Sequence, residues 1–189
     1  MGFHTFDPAK AAKLDDESRY QFCSREELLG AFAAGGGTDD HLVDLGSGTG
    51  FYTTALAPFF GQVSAVDIQS AMHDHFRENG VPATVSLVES STDSLPLDDG
   101  SVDAVLSTMT AHELPLAATL AELRRVLGTD GRFVIVDWSA EGQGEAGPPR
   151  SERLSAADLR ESLTEIGFNV DRAEERGETL LIAATWDDR

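Results

Sequence analysis

The stretch from His41 to Phe51 constrains the fold more than any other part of the chain. An apolar run, His41–Leu45, leads directly into a turn with glycine at positions 46, 48 and 50, and a helical pattern follows. Glycine permits tight turns and close approach of a ligand to the backbone. A strand, a glycine turn and a helix in this order are typical of the first crossover of a parallel sheet, where ligands bind at the carboxyl ends of the strands. The segment therefore predicts a ligand site.

Strand and helix patterns alternate along most of the chain, which is expected of parallel strands joined by crossover helices. Further apolar runs predict strands at Gln62–Asp67, Ala83–Val88, Val102–Ser107 and Arg132–Trp138. Helical spacing of apolar residues predicts helices at Thr49–Phe60, Ser70–Asn79, Leu114–Leu127 and Ser155–Ile166. The last two runs, Phe168–Ala173 and Thr179–Trp186, are predicted to form a hairpin. The pattern predicts an α/β fold, a doubly wound Rossmann-like sheet.

The chain is predicted to hold one domain preceded by a short N-terminal segment. A capping box at Ser24–Glu27 begins a helix that should end at the glycine run Gly35–Gly37. We assign residues 1–37 to a helical lid segment and residues 38–189 to the ligand-binding domain. Four aromatic residues favour docking of the lid over a disordered tail, which is the alternative; they are Phe3, Phe6, Tyr20 and Phe22.

The charge of the chain excludes some classes of partner. The chain contains 14 lysines and arginines and 33 acidic residues, which gives a net charge of −19. Such a surface repels phosphates, so we expect neither nucleic acid nor a membrane as a partner. Only Lys10 and Lys13 are lysines. We hypothesise a halophilic, salt-requiring protein, in which salt screens the repulsion among carboxylates; an ordinary acidic protein is the alternative.

The cysteine content, the length of the apolar runs and the spacing of the histidines predict where the protein works and whether it binds a metal. Cys23 is the single cysteine, so there is neither an internal disulfide nor a thiolate cluster for zinc. No apolar run reaches the roughly 20 residues of a membrane helix, and the first residues lack the order of a signal peptide. We therefore expect a cytoplasmic location. His73 and His75, two residues apart on a predicted helix, point to different faces, and we predict no metal.

The glycine turn fits some ligands better than others. A phosphate loop would need a Lys-Ser or Lys-Thr pair after the glycines, and none follows. A dinucleotide fingerprint would need glycine at position 51, where Phe51 stands. Asp67 ends the second predicted strand, 21 residues after Gly46, and its carboxylate can accept hydrogen bonds from both hydroxyls of a ribose. These residues predict an adenosine ligand without a pyrophosphate.

Residues 40 to 138 resemble the class I S-adenosylmethionine-dependent methyltransferases, in particular the small-molecule branch typified by quinone-biosynthesis enzymes. The resemblance rests on the strand with Asp44, the glycine turn, Asp67, and Ser91–Leu97 in place of the family's Asp-Ala-Glu-x-Leu-Pro-Phe. It implies a seven-stranded sheet with an antiparallel last strand and S-adenosylmethionine as cofactor.

The resemblance also implies roles for particular residues. The methionine end of the cofactor would be surrounded by Asp44, Gly46, Ser47 and Gly48, the ribose would bind Asp67, and Ile68 would lie against adenine. Ser91 replaces the usual aspartate at the adenine edge, where a hydroxyl accepts a hydrogen bond less strongly than a carboxylate. The same assignment adds Gly50, Thr92 and Ser107 to the cofactor-binding residues.

Methyl transfer requires alignment of the nucleophile, the methyl group and sulfur, and a base where the nucleophile carries a proton. His112 follows the fourth predicted strand and is the candidate base; a histidine that fixes its own loop is an equal alternative. Asp137 ends the fifth strand at the same edge, where it would hold His112 or a substrate hydroxyl, or cap the next loop. Trp138 would form an apolar wall, and Arg153 or Arg150 would pair with a substrate carboxylate unless it pairs with nearby acids.

The sequence thus predicts a single-domain methyltransferase that acts on an unidentified small molecule, with a homodimer as the assembly to test. A non-catalytic sensor or regulatory protein that binds S-adenosylmethionine or S-adenosylhomocysteine is the alternative from another class. A nicotinamide dehydrogenase is a third, which only binding of that dinucleotide would support.

Overall fold

The protein is built around one mixed sheet of seven strands. The structure is a computed structural model and describes residues 6–32 and 39–187. The strands are β1 (His41–Leu45), β2 (Gln62–Asp67), β3 (Val85–Glu89), β4 (Val102–Thr108), β5 (Leu127–Trp138), β6 (Asn169–Glu175) and β7 (Thr179–Thr185). Their order in the sheet is β3-β2-β1-β4-β5-β7-β6.

The first five strands are parallel, and β7 runs antiparallel to both of its neighbours. In the register of β1, Leu42 pairs with Val63 of β2 on one side and with Ala104 of β4 on the other. The chain first builds the sheet outward from β1 to β3 and then crosses back to β4, so the strand order reverses beside β1. Such a reversal opens a crevice at the carboxyl ends of the strands. The predicted fold class is confirmed.

Helices cover both faces of the sheet. They are α1 (Arg25–Phe32), α2 (Phe51–Leu56), α3 (Ser70–Asn79), α4 (Leu116–Val126) and α5 (Ala156–Glu165), with short 3₁₀ helices at Pro8–Asp15, Glu17–Gln21, Ala57–Phe59, Ala111–Glu113 and Arg150–Glu152. No helix in the described ranges is both long and apolar enough to cross a membrane.

Two apolar cores fill the spaces between the sheet and the helices. Side chains alternate along β1, so that Leu42 belongs to one core while Val43 and Leu45 belong to the other. The first core includes Leu28 of α1 and Leu56 of α2, and the second includes Leu120 of α4 and Leu159 of α5. The parallel strands are buried on both sides, which explains their nearly continuous apolar sequences.

Several element boundaries differ from the sequence prediction by one or more residues, and two of the differences have identifiable reasons. Helix α2 begins at Phe51 rather than Thr49, because Gly50 lies in the left-handed region with φ of 83°. Strand β5 begins at Leu127 rather than Arg132, through an irregular stretch in which Asp130 has φ of 62° and the register to β4 shifts. The predicted glycine run at 35–37 and Phe3 lie outside the described residues.

The N-terminal segment lies against the carboxyl edge of the sheet. Asp15 accepts hydrogen bonds from Thr49 Oγ1 at 2.5 Å and from Asn79 Nδ2 at 3.0 Å. The ring centroids of Tyr20 and Phe51 are 4.8 Å apart. These contacts attach residues 6–22 to the glycine turn and to α3; the domain boundary at residue 37 stays a prediction.

Candidate functional site

The glycine turn after β1 is fixed by main-chain hydrogen bonds to β2. The N–H groups of Gly46 and Ser47 both donate to the carbonyl of Val66, at 2.8 and 2.9 Å. Gly46, Gly48 and Gly50 all have positive φ, which other residues rarely adopt. A Cβ atom at Gly46 would overlap Thr110, and one at Gly50 would overlap the Phe76 ring, whereas one at Gly48 would only contact the Leu14 side chain, at an ordinary distance of 3.5 Å. The sequence therefore needs glycine here for two reasons, backbone conformation and close packing.

The carboxylate of Asp67 joins this turn to the end of β2. Asp67 Oδ2 accepts from the Gly48 N–H at 2.9 Å, and Oδ1 accepts from the Gln69 N–H at 2.9 Å. The residue is 8% exposed. Each carboxylate oxygen has a second lone pair, so both can accept a further hydrogen bond from a ligand. Asp67 is held in one orientation and still has acceptor capacity toward the crevice.

A cavity of about 230 Å³ opens at this edge. Seven of the predicted cofactor-binding residues line it: Gly46, Ser47, Gly48, Asp67, Ile68, Ser91 and Thr92. They come from the turn after β1, the end of β2 and the segment after β3. The wall also contains residues of the N-terminal segment and of the chain after β4, among them Phe6, Leu14, Arg19, Met109, Thr110 and Glu113.

Three of the predicted cofactor-binding residues lie behind the wall. Asp44 is buried and accepts a hydrogen bond from Thr53 Oγ1 at 2.5 Å, while its Oδ1 has no hydrogen-bond partner among the described residues. Burial raises the pKa of Asp44 to about 7, against the opposing effect of the Thr53 hydroxyl. Gly50 and Ser107 are also buried and are absent from the cavity lining.

The replacement of the family's aspartate by Ser91 has a structural counterpart in this cavity. The Ser91 hydroxyl donates a hydrogen bond to the carboxylate of Asp93, which lines the cavity as well. The neighbouring Thr92 hydroxyl is bonded instead to Thr119 of α4 at 2.7 Å. Ile68 is 59% exposed, an unusual exposure for a large apolar side chain. This side of the cavity thus offers an apolar surface and a carboxylate near Ser91.

His112 and Asp137 form a pair behind the cavity. Nδ1 of His112 is 2.7 Å from Oδ1 of Asp137, and the backbone N–H of His112 donates to Oδ2 at 2.9 Å. Burial opposes the charge of His112, but the Asp137 hydrogen bond and charge outweigh it and raise the pKa of the imidazole above 6.5. Neither side chain lines the cavity, but the adjacent Glu113 does.

Glu113 connects that pair to the cavity. Its Oε1 is 3.9 Å from Nε2 of His112, and its side chain is 25% exposed. Burial, together with the Asp137 carboxylate, raises the pKa of Glu113 against the opposing influence of His112. A carboxyl in a cavity wall whose pKa is raised by its surroundings is a candidate for proton transfer.

Trp138 and Arg153 meet each other at a distance from the cavity. Arg153 pairs with Glu178 at 3.1 Å and donates to the carbonyl of Pro148 at 2.9 Å. Its guanidinium carbon is 5.8 Å from the centre of the Trp138 ring, and Phe22 packs on that ring with centroids 4.9 Å apart. Neither side chain lines the cavity, and Arg150, the alternative, does not line it either. In this structure Arg153 therefore holds the loop after β5 in place through its bonds to Glu178 and to the carbonyl of Pro148.

Sequence reasoning missed Arg19 and Glu113 as cavity residues. Glu113 could have been found, since it follows His112 in the same segment after β4. Arg19 carried no such signal, because it belongs to a segment whose path over the sheet cannot be read from periodicity. Cys23 is buried outside the cavity lining, and burial raises the pKa of its thiol to about 12. In the part of the chain that the structure describes, no three histidine, cysteine or acidic residues are grouped to hold a metal.

Comparison with known proteins identifies the protein family to which the chain is similar. A family model described as a methyltransferase domain matches residues 43–135. An uncharacterised methyltransferase of Mycobacterium tuberculosis is 39% identical over 135 residues, which are 71% of this chain and 50% of that protein. The malonyl-[acyl-carrier protein] O-methyltransferase of Geobacter sulfurreducens is 34% identical over 129 residues, 66% of this chain and 48% of that protein. The chain thus spans about half the length of these curated relatives.

A solved structure matches the chain over nearly its whole length. The S-adenosylmethionine-dependent methyltransferase of Aquifex aeolicus has a TM-score of 0.86 and 32% sequence identity. The match covers 96% of this chain and 99% of that one. Together with the glycine turn and the acid at the end of β2, this similarity shows that the chain belongs to the class I S-adenosylmethionine-dependent methyltransferases.

Proposed function

We propose that the protein transfers the methyl group of S-adenosylmethionine to a small-molecule acceptor. The observation that supports this most directly is the carboxylate of Asp67, fixed by Gly48 and Gln69 at the edge of the cavity. In that position it can accept hydrogen bonds from both ribose hydroxyls. The family implies this cofactor, and the Aquifex aeolicus relative is described as dependent on it.

The residues of the cavity fit the cofactor. The Ser47 hydroxyl is buried in the wall with no hydrogen-bond partner among the described residues, a feature that a polar ligand would correct. Gly48 lines the cavity and has no side chain, so a ligand can approach the backbone of the turn. The exposed Ile68 offers an apolar surface to the base, and Ser91 with Asp93 offers acceptors to its exocyclic amine.

When bound, S-adenosylmethionine supplies a methyl group on a positively charged sulfur that any aligned nucleophile can take. The chain's part is to place both partners and to receive a proton where the nucleophile carries one. Glu113 is the group that lines the cavity, while Asp137 holds His112 behind it. We assign Glu113 the role of proton acceptor and the His112–Asp137 pair the role of positioning it.

The acceptor class follows from charge and from the family resemblance. A net charge of −19 opposes binding of a nucleic-acid acceptor, and the choice of a small molecule over a protein rests on the resemblance to the small-molecule branch of the family. The same charge supports a cytoplasm rich in salt as the working environment. Arg153 is already bonded to Glu178 and to loop carbonyls, so recognition of a substrate carboxylate by Arg153 would require those bonds to break.

Two measurements test the proposal. Calorimetric titration should show binding of S-adenosylmethionine and S-adenosylhomocysteine, and replacement of Asp67 should weaken it. Incubation of methyl-labelled cofactor with pooled metabolites should then label a small molecule. A protein that binds neither ligand would contradict the proposal, and one that binds both without labelling any acceptor would favour a non-catalytic sensor.

A further inference from the structure

Carboxylates outnumber cations in the wall of the cavity. Among the residues that the structure describes, three acids line it, Asp67, Asp93 and Glu113. Arg19 is the single lysine or arginine in that lining. Asp67 and Asp93 lie at the sugar and base ends that the proposed function gives to the cofactor. Glu113 is therefore the acidic group that remains for the methyl acceptor.

Arg19 offers little to an anionic acceptor, because its charge already has partners. Its guanidinium carbon is 5.2 Å from the ring centre of Phe51 and 5.1 Å from that of Tyr52. The carboxylates of Asp44 and Asp15 attract it as well. An acceptor that carries a carboxylate or a phosphate would thus meet no uncompensated cation in the described wall.

The surroundings of Glu113 are negative too. Its side chain is 25% exposed, and its Oε1 is 3.9 Å from Nε2 of His112, beyond hydrogen-bond distance. The other ring nitrogen of that imidazole is held by Asp137 at 2.7 Å. Asp137 and Asp67 both act on Glu113 as like charges. A half-buried carboxylate near other carboxylates is costly to keep charged, and a bound cation would lower that cost.

Burial acts on a carboxylate and on an ammonium ion in opposite directions. It favours the neutral form of each, so it raises the pKa of Glu113 and would lower the pKa of an amine bound beside it. In water an alkylammonium has a pKa of about 10.4 and a glutamic acid one of about 4.3. The cavity narrows this difference. A proton can then pass from the ammonium to Glu113, and both charges disappear from the half-buried site.

Other nucleophiles fit this charge pattern less well. A phenol becomes an anion when it loses its proton, which the nearby carboxylates of Asp137 and Asp67 oppose. An acceptor carboxylate brings a negative charge from the start. The field of the whole protein acts in the same sense, since a net charge of −19 attracts cations and repels anions.

Resting on the proposed function, we propose that the methyl acceptor is an amine that binds as its ammonium ion against Glu113. The proton passes from the ammonium nitrogen to a carboxylate oxygen of Glu113, which frees the nitrogen lone pair. That lone pair forms the new bond to the methyl carbon as the bond from methyl to sulfur breaks, and the electrons of the broken bond stay on sulfur. The methylated amine leaves as a cation with S-adenosylhomocysteine as the second product, and Glu113 releases its proton to water.

Methyl transfer into three separate pools of small molecules tests this class assignment. The protein is incubated with methyl-labelled S-adenosylmethionine and a pool of amines, a pool of alcohols and phenols, or a pool of carboxylic acids. We expect the amine pool to be labelled at least about 10-fold more than either other pool, the selectivity of one hydrogen-bonded charge pair. Glu113→Gln should lower labelling of the amines by about 100-fold or more. Its affinity for S-adenosylhomocysteine should stay within about twofold of the wild type, which also shows that the variant folds.

Glu161→Gln, which removes an exposed acid of α5, is the matched control and should change neither labelling nor affinity. Label confined to phenols, alcohols or acids would overturn the amine assignment and leave the proposed function intact. Amine labelling that survives Glu113→Gln would overturn it as well, because the ammonium would then be bound elsewhere. Should Glu113→Gln fail to fold, the wild-type pools still decide between the classes. A wild-type protein that binds the cofactor and labels none of the pools would instead be a failure of the proposed function, and the amine assignment would fall with it.

Discussion

The carboxylate of Asp137 holds both the ring and the backbone of His112. Its Oδ1 is 2.7 Å from Nδ1 of the imidazole, and its Oδ2 accepts from the backbone N–H at 2.9 Å. The two residues lie 25 positions apart, one after β4 and the other near the end of β5. This double contact fixes the segment after β4 and thereby places Glu113 in the wall of the cavity.

The pair should make stability depend on pH. Because the pKa of His112 is raised on folding, its contribution is complete below the unfolded value of about 6.5 and is lost as pH rises through the folded pKa. We expect His112→Gln to lower the free energy of unfolding by about 1.5–3 kcal/mol at pH 6 and by less at pH 9. Urea unfolding at the two pH values measures this. His75→Gln controls for loss of an exposed imidazole, and a cost for His112→Gln that grew with pH would contradict the assignment.

Glu113→Gln should separate catalysis from cofactor binding. The amide keeps the size of the side chain and cannot accept the proton, so we expect turnover with an identified acceptor to fall by about 100-fold or more. Calorimetry should show affinity for S-adenosylhomocysteine within about twofold of the wild type, since the role assigned to Glu113 concerns the acceptor's proton. Unchanged turnover would show that the acceptor loses its proton elsewhere.

Removal of the Asp67 carboxylate should weaken every adenosyl ligand. The side chain fixes the turn through Gly48 and offers its remaining lone pairs to the sugar, so we expect Asp67→Ala to weaken S-adenosylhomocysteine by about 10- to 100-fold. Asp98→Asn, an exposed acid away from the cavity, is the control. Equal affinities of Asp67→Ala and the wild type for this ligand would refute the assigned sugar site.

Two glycines of the same turn should respond differently to a methyl group. Gly50→Ala combines a positive φ with overlap of the Phe76 ring, and we expect a loss of about 2–5 kcal/mol in the free energy of unfolding. Gly48→Ala has the strained φ, but its methyl group would only contact Leu14 at an ordinary distance, so it should cost only about 1–2 kcal/mol. Denaturant unfolding of both variants checks the order, and a greater loss for Gly48→Ala would show that packing against Phe76 is not the constraint.

Salt should stabilise the protein well beyond the effect on an ordinary domain. With a net charge of −19, mutual repulsion strains the folded state in dilute buffer, and the screening length falls from about 10 Å at 0.1 M to about 3 Å at 1 M. We expect the thermal midpoint to rise by several degrees between low and molar potassium chloride. A midpoint that stays level or falls over that range would indicate an ordinary acidic protein.

The sequence by itself determined the fold class and the sugar side of the site. The period of apolar residues located every strand and α-helix in the described ranges after residue 40, because buried parallel strands and amphipathic helices carry distinct patterns. The glycine turn and Asp67 were found as well, since both lie at the ends of elements that the pattern predicts. Their contact through the Gly48 N–H follows from the pairing of β1 with β2.

Only the tertiary structure decided which side chains meet in the cavity beyond that pair. Trp138 ends β5 and Arg153 follows that strand in sequence, yet Arg153 pairs with Glu178 and Trp138 packs against Phe22. Arg19 comes from a segment that belongs to no strand, and its place depends on contacts such as the pair of Asp15 with Thr49, across 34 positions. Contacts between residues so far apart depend on the packed fold and leave no periodic trace in the chain.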